Sequence, residues 1–155
     1  MTHYRAPQNK QQYKTAKPEN LYGPETENRE TFPFFPAFVH VTGKKVVVLG
    51  GGEVAAGKLR LLLRSQADIT VIAPELCNDI ATMVDTGAIR WEAAPFVDTM
   101  LNGAVMIFDA ADDMHLTRRV KVAAKRRNIL LNVVDKTEHC DFIVPAILDR
   151  APVMI

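Results

Sequence analysis

Cysteine is scarce in this chain of 155 residues, where only Cys77 and Cys140 occur. Their spacing matches no metal-ligand pattern, which argues against a zinc or iron–sulfur centre and predicts no resident metal. Long apolar runs are also lacking, so no segment is predicted to span a bilayer or to act as a secretory signal. We therefore expect a cytoplasmic protein with no membrane partner. Both cysteines are expected to be free thiols, and a disulfide between them is the alternative.

An excess of charge of one sign is absent as well. The formal net charge is +1, so overall electrostatics do not predict a nucleic acid or an anionic membrane as partner. Hydrophobic residues make up 48% and charged residues 24% of the chain, which is typical of a globular protein with a sizeable core. Local groups would therefore have to hold any anionic ligand.

Residues 1–31 contain no Val, Ile or Phe. So little apolar surface cannot offset the entropy of ordering, and we expect a disordered extension, with a partner-binding tail as the alternative. From residue 32 onward, phenylalanines alternate with prolines that exclude a helix, and we expect these aromatic rings to pack on the core. They are Phe32, Phe34, Phe35 and Phe38, interleaved with Pro33 and Pro36.

Short β-branched runs then alternate with stretches of helical periodicity. Strands are predicted at residues 46–49, 68–72, 89–92, 104–108 and 129–134, and helices at 53–64, 75–85 and 113–127. This alternation, with unbroken apolar strands, predicts an α/β domain: a Rossmann-type doubly wound parallel sheet covered on both faces. Residues 142–144 and 147–148 are expected to start a terminal antiparallel pair, and the last three residues read as a strand.

A glycine turn follows the first predicted strand and begins the first predicted helix. Residues 50–55 read Gly-Gly-Gly-Glu-Val-Ala, which matches the dinucleotide-binding pattern G-x-G-x-x-A in its required context. Gly50 permits a tight turn, Gly52 lets a pyrophosphate approach the backbone, and Ala55 lets the helix lie close to the strand. The helix N-terminus then attracts the phosphates. An ordinary glycine-rich turn is the alternative.

The acidic residue that binds the ribose usually lies about 20 residues beyond the glycines. Glu75 is the candidate here, although it comes slightly late, and a first-turn position in the next helix is the alternative for it. No Arg or Lys follows the second strand to bind a 2′-phosphate. The sequence therefore favours NAD over NADP as the cofactor.

Beyond the glycine turn, several runs of residues resemble one family. Residues 132–135 read Asn-Val-Val-Asp, and residues 140–147 read Cys-Asp-Phe-Ile-Val-Pro-Ala-Ile. Together with Pro36-Ala37-Phe38, Lys58 and residues 73–77, they make residues 32–155 similar to the precorrin-2 dehydrogenase module of siroheme synthases. The resemblance leaves residues 1–31 unexplained.

The resemblance implies oxidation of precorrin-2, an acidic tetrapyrrole, to sirohydrochlorin with NAD⁺. In some members of the family ferrous iron is then inserted by a ferrochelatase activity. It implies a homodimer formed through a C-terminal region that also forms a wall of the substrate pocket. We expect this region to be missing from the chain, whose last residue is Ile155. It also assigns the site residues. These are Asp135 as the catalytic carboxylate, and Gly50, Gly51, Gly52, Glu53, Val54, Pro74 and Glu75 as the dinucleotide contacts.

The position of Asp135 suits a general base. It directly follows a predicted strand, at the carboxyl edge of the sheet where ligands bind in open α/β folds. A carboxylate there can take the proton that is lost when a hydride leaves the substrate. A turn or capping residue is the alternative for Asp135.

The chain departs from the usual family sequence at three positions. Gly57 stands where arginine is common, Asp109 begins a run that usually starts with alanine, and Ala111 replaces a threonine. We expect Asp109 to add a charge near the cofactor edge and Ala111 to remove a hydroxyl group, so both changes bear on NAD affinity. Either Asp112 or Asp113 is expected to be the N-cap of the following helix.

Two other functions also fit the sequence. One is a non-catalytic NAD-sensing regulatory module, which fold alone does not separate from an enzyme. The other is a metal-inserting protein that no longer binds NAD, for which His139 beside Cys140 leaves a transient contact with iron open. The Asn-Val-Val-Asp and Cys-Asp-Phe-Ile runs favour the dehydrogenase.

Overall fold

A computed structural model of the chain describes residues 33–144, 149–150 and 153–154, which belong, apart from Pro33, to one compact unit over Phe34–Ile155. The strands are β1 (Lys45–Leu49), β2 (Asp68–Ile72), β3 (Arg90–Glu92), β4 (Ala104–Asp109), β5 (Leu130–Val133), β6 (Asp149–Arg150) and β7 (Val153–Met154). The helices are α1 (Glu53–Leu62), α2 (Asn78–Asp85) and α3 (Met114–Arg127). Short 3₁₀ turns occur at Leu63–Ser65, Asp98–Leu101 and Thr137–His139. The expected disordered extension over residues 1–31 lies outside the described residues.

The first five strands form one parallel sheet in the order β3-β2-β1-β4-β5. Alternate residues of β1 belong to two different hydrophobic clusters: Val46 and Val48 pack with residues of α1, and Val47 and Leu49 with residues of α3. Helices therefore cover both faces of the sheet, which confirms the predicted Rossmann-type architecture. Strand order reverses between β1 and β4, and ligands bind at such switch points, at the carboxyl ends of the strands.

Local sequence explains the two long helices. In α1 the buried residues Ala55, Ala56, Leu59 and Leu62 recur at helical spacing, so one face packs on the sheet. At α3, the Asp113 side chain accepts hydrogen bonds from the backbone N–H groups of the first turn, which confirms Asp113 as the N-cap. Helix α3 ends at Arg127, and the following residue, Asn128, has the left-handed conformation that stops a helix.

Three expectations about element boundaries are wrong. Helix α1 ends at Leu62 and continues only as a 3₁₀ turn, and α2 begins at Asn78 instead of residue 75. Residues 142–144 form no strand, because they fold back on β5. The antiparallel pair exists, but it joins β6 to β7, while residues 147–148 lie outside the described residues.

The expected packing of the phenylalanines is also wrong. Phe35 and Phe38 are 89% and 88% exposed, and the buried core begins only at Val41. Residues 34–40 form neither helix nor strand. This proline-containing segment therefore makes no strand hydrogen bonds that would hold its aromatic rings against the sheet. Phe34 is half-buried, and Phe32 is outside the described residues.

None of the helices in the described part of the chain is both long enough and apolar enough to cross a bilayer.

Candidate functional site

The three glycines after β1 differ in what surrounds them. Gly50 has φ +105°, and a Cβ atom there would lie 2.6 Å from the Ala110 carbonyl oxygen. A Cβ atom on Gly51 would overlap the Glu75 carbonyl oxygen. At Gly52, φ is −90° and a Cβ atom would meet no described atom within 4 Å. The fold itself therefore explains the first two glycines, whereas the third leaves open space.

That open space lies at the N-terminus of α1. Gly52 is the N-cap of this helix and offers no side-chain cap, so the first N–H groups of the helix are not satisfied by a capping side chain. Together with the positive end of the helix dipole, these groups suit a phosphate. The geometry fits a dinucleotide pyrophosphate, because the missing Cβ of Gly52 leaves room for the approach.

The larger of two clefts at this edge of the sheet has a volume of about 520 Å³. Its walls come from the glycine turn, the end of β2, the residues after β3 and β4, and the start of α3. The lining residues used below are Gly50, Gly51, Gly52, Pro74, Phe96, Ala111 and Arg119. The glycines and Pro74, expected as dinucleotide contacts, thus line one cleft.

Glu75 does not line this cleft, although its neighbour Pro74 does. The proposed first-turn position of Glu75 is wrong, because α2 starts at Asn78. The backbone N–H of Cys77 donates to the Gly51 carbonyl at 2.7 Å, which ties the segment after β2 to the glycine turn as a loop. Ribose binding by the exposed Glu75 side chain stays a prediction.

Sequence reasoning missed Arg119 as a wall of the larger cleft. Its guanidinium lies 5.6 Å from the centre of the Phe96 ring and donates to the Phe96 carbonyl at 3.3 Å. These contacts hold the guanidinium at the cleft through a cation–π interaction. The signal was the four-residue spacing from His115, which places both side chains on one face of α3.

A smaller cleft of about 140 Å³ lies towards β5. It is lined by Val54, Asp109, Ala110, Asp112, Thr117, Val133, Val134, Asp135 and Lys136. Val54 comes from the first turn of α1 and Asp135 from the loop after β5. The structure therefore brings the predicted carboxylate and one predicted dinucleotide contact to the same cavity, whereas Glu53 is exposed and lines neither cleft.

Asp135 has an unusual backbone and a free side chain. The Lys136 N–H donates to the Val133 carbonyl at 3.2 Å and closes a turn in which Asp135 has φ +61°. Apart from glycine, Asn and Asp are the residues that adopt this left-handed conformation most readily. The Asp135 side chain is exposed, and it forms no hydrogen bond or ion pair with any described residue. The fold holds this carboxylate in place without using it.

The loop that follows Asp135 folds back on β5 and fixes the turn. The Asn132 amide donates to the Phe142 carbonyl at 3.0 Å, and the Asp141 carboxylate accepts from the Leu131 N–H at the same distance. The Cys140 sulfur accepts from the Val133 N–H at 3.1 Å and lies 3.2 Å from the Val133 carbonyl oxygen, to which it donates. The Asn-Val-Val-Asp and Cys-Asp-Phe runs are thus partners that close the edge of the sheet.

Cys77 and Cys140 are both free thiols, as expected. Desolvation by burial is the main reason why the pKa of the Cys140 thiol is raised, so the thiol stays protonated beside the Val133 backbone.

Asp109 is only 2% exposed and ends β4. The Thr117 hydroxyl donates to its carboxylate at 2.6 Å, and the Ala111 N–H does so at 3.2 Å. The expected extra charge therefore lies beneath the smaller cleft, bonded to α3 and to the loop after β4. Ala111, which lacks the usual hydroxyl, faces the larger cleft instead. Gly57 is an exposed residue of α1 that lines neither cleft.

An ion pair joins the two loops on either side of the smaller cleft. The Lys136 ammonium lies 2.7 Å from the Asp112 carboxylate, and Asp112 also has a positive φ, of +50°. The hydrogen bond from Lys136 lowers the pKa of Asp112 and, reciprocally, raises the pKa of Lys136. The described residues contain no group of three or more His, Cys, Asp or Glu side chains that could hold a metal ion.

Comparison with known proteins identifies relatives of this domain. The chain is 43% identical over 122 residues to a siroheme synthase of Photorhabdus laumondii, a match that covers 79% of this chain and 26% of that protein. It is 41% identical over 126 residues to a siroheme synthase of Nitrosospira multiformis, covering 79% of this chain and 27% of that protein. The chain thus spans about a quarter of the length of these curated relatives.

A solved structure and a family match agree with the fold. The structure of "SirC, precorrin-2 dehydrogenase" superposes with a TM-score of 0.72 at 23% identity, over 79% of this chain and 60% of that one. At this identity the likeness supports the fold alone. The family described as "Putative NAD(P)-binding" matches residues 37–146, which confirms the dinucleotide binding that the glycine turn predicts. The chain therefore belongs to this NAD(P)-binding family.

Proposed function

We propose that this chain catalyses the NAD-dependent oxidation of precorrin-2 to sirohydrochlorin, a step of siroheme biosynthesis. One observation carries the proposal: the partner-free carboxylate of Asp135, held at φ +61°, lines the same small cleft as Val54 from the first turn of the dinucleotide helix. The siroheme synthases that the chain resembles support the choice of substrate. An acidic tetrapyrrole is accordingly the proposed partner.

The residues of the two clefts have separate roles in this proposal. Gly50, Gly51, Gly52 and the N-terminus of α1 would hold the pyrophosphate, with Glu53 and Val54 as further contacts. Pro74 and Glu75, after β2, would hold the adenosine half. Because no Arg or Lys directly follows β2, we propose NAD as the cofactor. Bound NAD⁺ supplies the hydride acceptor.

Asp135 performs the proton transfer. A C–H bond of precorrin-2 breaks and its electron pair leaves with the hydrogen as hydride, while a second hydrogen leaves the substrate as a proton. Asp135 accepts that proton as general base and later returns it to water. The products are sirohydrochlorin, NADH and one proton, so atoms and electrons balance.

The finer parts of the proposal follow from the family resemblance. Ferrous iron is proposed as a further substrate of the Asp135 cleft, where the carboxylate would take protons from pyrrole nitrogens. We further propose a homodimer of the protein that carries the C-terminal region implied by the resemblance, and light scattering with and without that region tests it. A cytoplasmic location is proposed because both cysteines are free thiols.

Two measurements test the dehydrogenase. NAD⁺ is titrated into the 155-residue chain, and NADH formation is then followed with enzymatically prepared precorrin-2. We expect saturable binding and NADH production that depends on precorrin-2. Saturable binding without any NADH would contradict the proposal and favour the non-catalytic sensor. Insertion of ferrous iron into sirohydrochlorin without NAD⁺ binding would favour the metal-inserting alternative.

A further inference from the structure

The smaller cleft has an unbalanced set of charges. Its described lining includes the carboxylates of Asp109, Asp112 and Asp135 but only one cationic side chain, that of Lys136. The proposed substrate carries carboxylate groups, which like charges would repel from this cavity. Unless a cation faces the substrate, the arrangement of charges opposes its binding.

Lys136 is the residue that can offset this repulsion. Its side chain is 27% exposed, whereas that of its partner Asp112 is 92% exposed. The cleft walls therefore hold the lysine stem in place, while the aspartate projects into solvent. An ion pair with so exposed a partner contributes little to stability, because water screens it and ordering the side chains costs entropy. A second carboxylate can therefore replace Asp112 at low cost.

We propose that Lys136 binds a carboxylate of the tetrapyrrole and that Asp112 occupies its ammonium group until the substrate replaces it. This inference rests on the proposed function and names a substrate-binding residue for the same cleft. The position of Lys136 directly after Asp135 in the chain means that a carboxylate seated on it brings the tetrapyrrole to the catalytic side chain. Asp112 then acts as a competitor for the substrate.

A purely structural role for the ion pair predicts a different pattern. If the pair only held the loops after β4 and β5 together, the loss of either partner would weaken binding of the tetrapyrrole. With Asp112 as a competitor, the two losses have opposite effects. Removing Lys136 weakens binding, and removing the charge of Asp112 strengthens it.

The experiment measures equilibrium binding of sirohydrochlorin, the stable product, by fluorescence in the presence of NAD⁺. Lys136→Gln is expected to weaken binding about tenfold, the usual order for a lost charge-assisted hydrogen bond. Asp112→Asn is expected to strengthen it by roughly twofold to threefold, because an exposed pair competes only weakly. In the double variant, Asp112→Asn should have no further effect.

Matched controls separate this from a general change in charge. Lys125→Gln and Asp85→Asn remove the same charges from exposed positions on α3 and α2, outside both clefts, and should leave binding unchanged. NAD⁺ affinity should be unchanged in all variants. Weaker binding in both Lys136→Gln and Asp112→Asn, or no change in either, would overturn the inference while leaving the proposed function intact. Absence of sirohydrochlorin binding and of NADH formation in the unmodified chain would overturn both.

Discussion

The turn after β1 and the turn after β5 lie at the same edge of the sheet, but they solve opposite problems. The first must leave space, and it does so with three residues that have no side chain. The second must present a carboxylate, and it holds Asp135 at a positive φ where glycine would fit with less strain. The β1 turn depends on missing Cβ atoms, whereas the β5 turn depends on hydrogen bonds to the loop that follows it.

The two turns also differ in which of their residues the fold itself requires. In the β1 turn, close backbone contacts with Ala110 and Glu75 explain why residues 50 and 51 are glycines. Gly52 is the one glycine of this turn that the fold does not require. In the β5 turn, the positive φ of Asp135 is held by hydrogen bonds that residues 131–133 donate to residues 140–142. Such a conformation at a side chain with no structural partner is typical of a functional site.

The largest effect on stability is expected from a methyl group added at Gly51. Gly51→Ala would drive a Cβ atom into the Glu75 carbonyl, and because neither backbone can move freely the free energy of unfolding should fall by about 3 kcal/mol or more. Gly52→Ala should stay within about 1 kcal/mol of the unmodified chain, since the space is open. Urea unfolding measures both variants.

Gly52→Val extends this test to the cofactor. Its branched side chain would occupy the space proposed for the pyrophosphate, so NAD⁺ affinity should fall about a hundredfold or more. Calorimetric titration measures it, and the folded state of the variant is checked first. Normal NAD⁺ affinity in a folded Gly52→Val chain would contradict the placement of the phosphates.

The next largest effect concerns the carboxylate of the β5 turn. Asp135→Asn tolerates the left-handed backbone but cannot accept a proton, so NADH formation from precorrin-2 should fall by about 10²- to 10⁴-fold while NAD⁺ affinity is unchanged. Asp135→Gly should lose the same activity and be about 1 kcal/mol more stable than Asp135→Ala, because φ +61° strains alanine but not glycine. Unchanged turnover in Asp135→Asn would remove Asp135 from the role of base.

The two turns also differ in how far the sequence predicts them. The glycine turn is predictable because its determinants are local: a strand, three glycines and a helix follow one another in the chain. The five parallel strands and their helices were predictable for the same reason, apart from boundaries. At α2 the predicted start was three residues early, because a hydrogen bond from Cys77 to Gly51 holds the preceding segment as a loop.

The remaining features depend on contacts between distant residues. The ion pair of Asp112 with Lys136 and the burial of Asp109 on Thr117 join separate loops, and no periodic pattern predicts them. Exposure of Phe35 and Phe38 reverses what hydrophobicity alone suggests. Asp135 could be placed at the sheet edge from its strand, but its positive φ follows from the turn that closes on Val133.

The smallest expected effect tests whether the Cys140 thiol stabilises the β5 turn. Burial raises the pKa of this thiol above the usual 9.0, so as pH rises the unfolded chain loses the thiol proton before the folded chain does. Stability is therefore unaffected by this group well below pH 9 and declines as pH rises towards the folded pKa. Urea unfolding of the Cys77→Ser chain and of the Cys77→Ser/Cys140→Ser chain isolates the contribution. The advantage of the cysteine should shrink between about pH 8 and pH 10. A constant difference over this range would mean that the thiol ionises equally easily in the folded and unfolded chains, and it would contradict the raised pKa of Cys140.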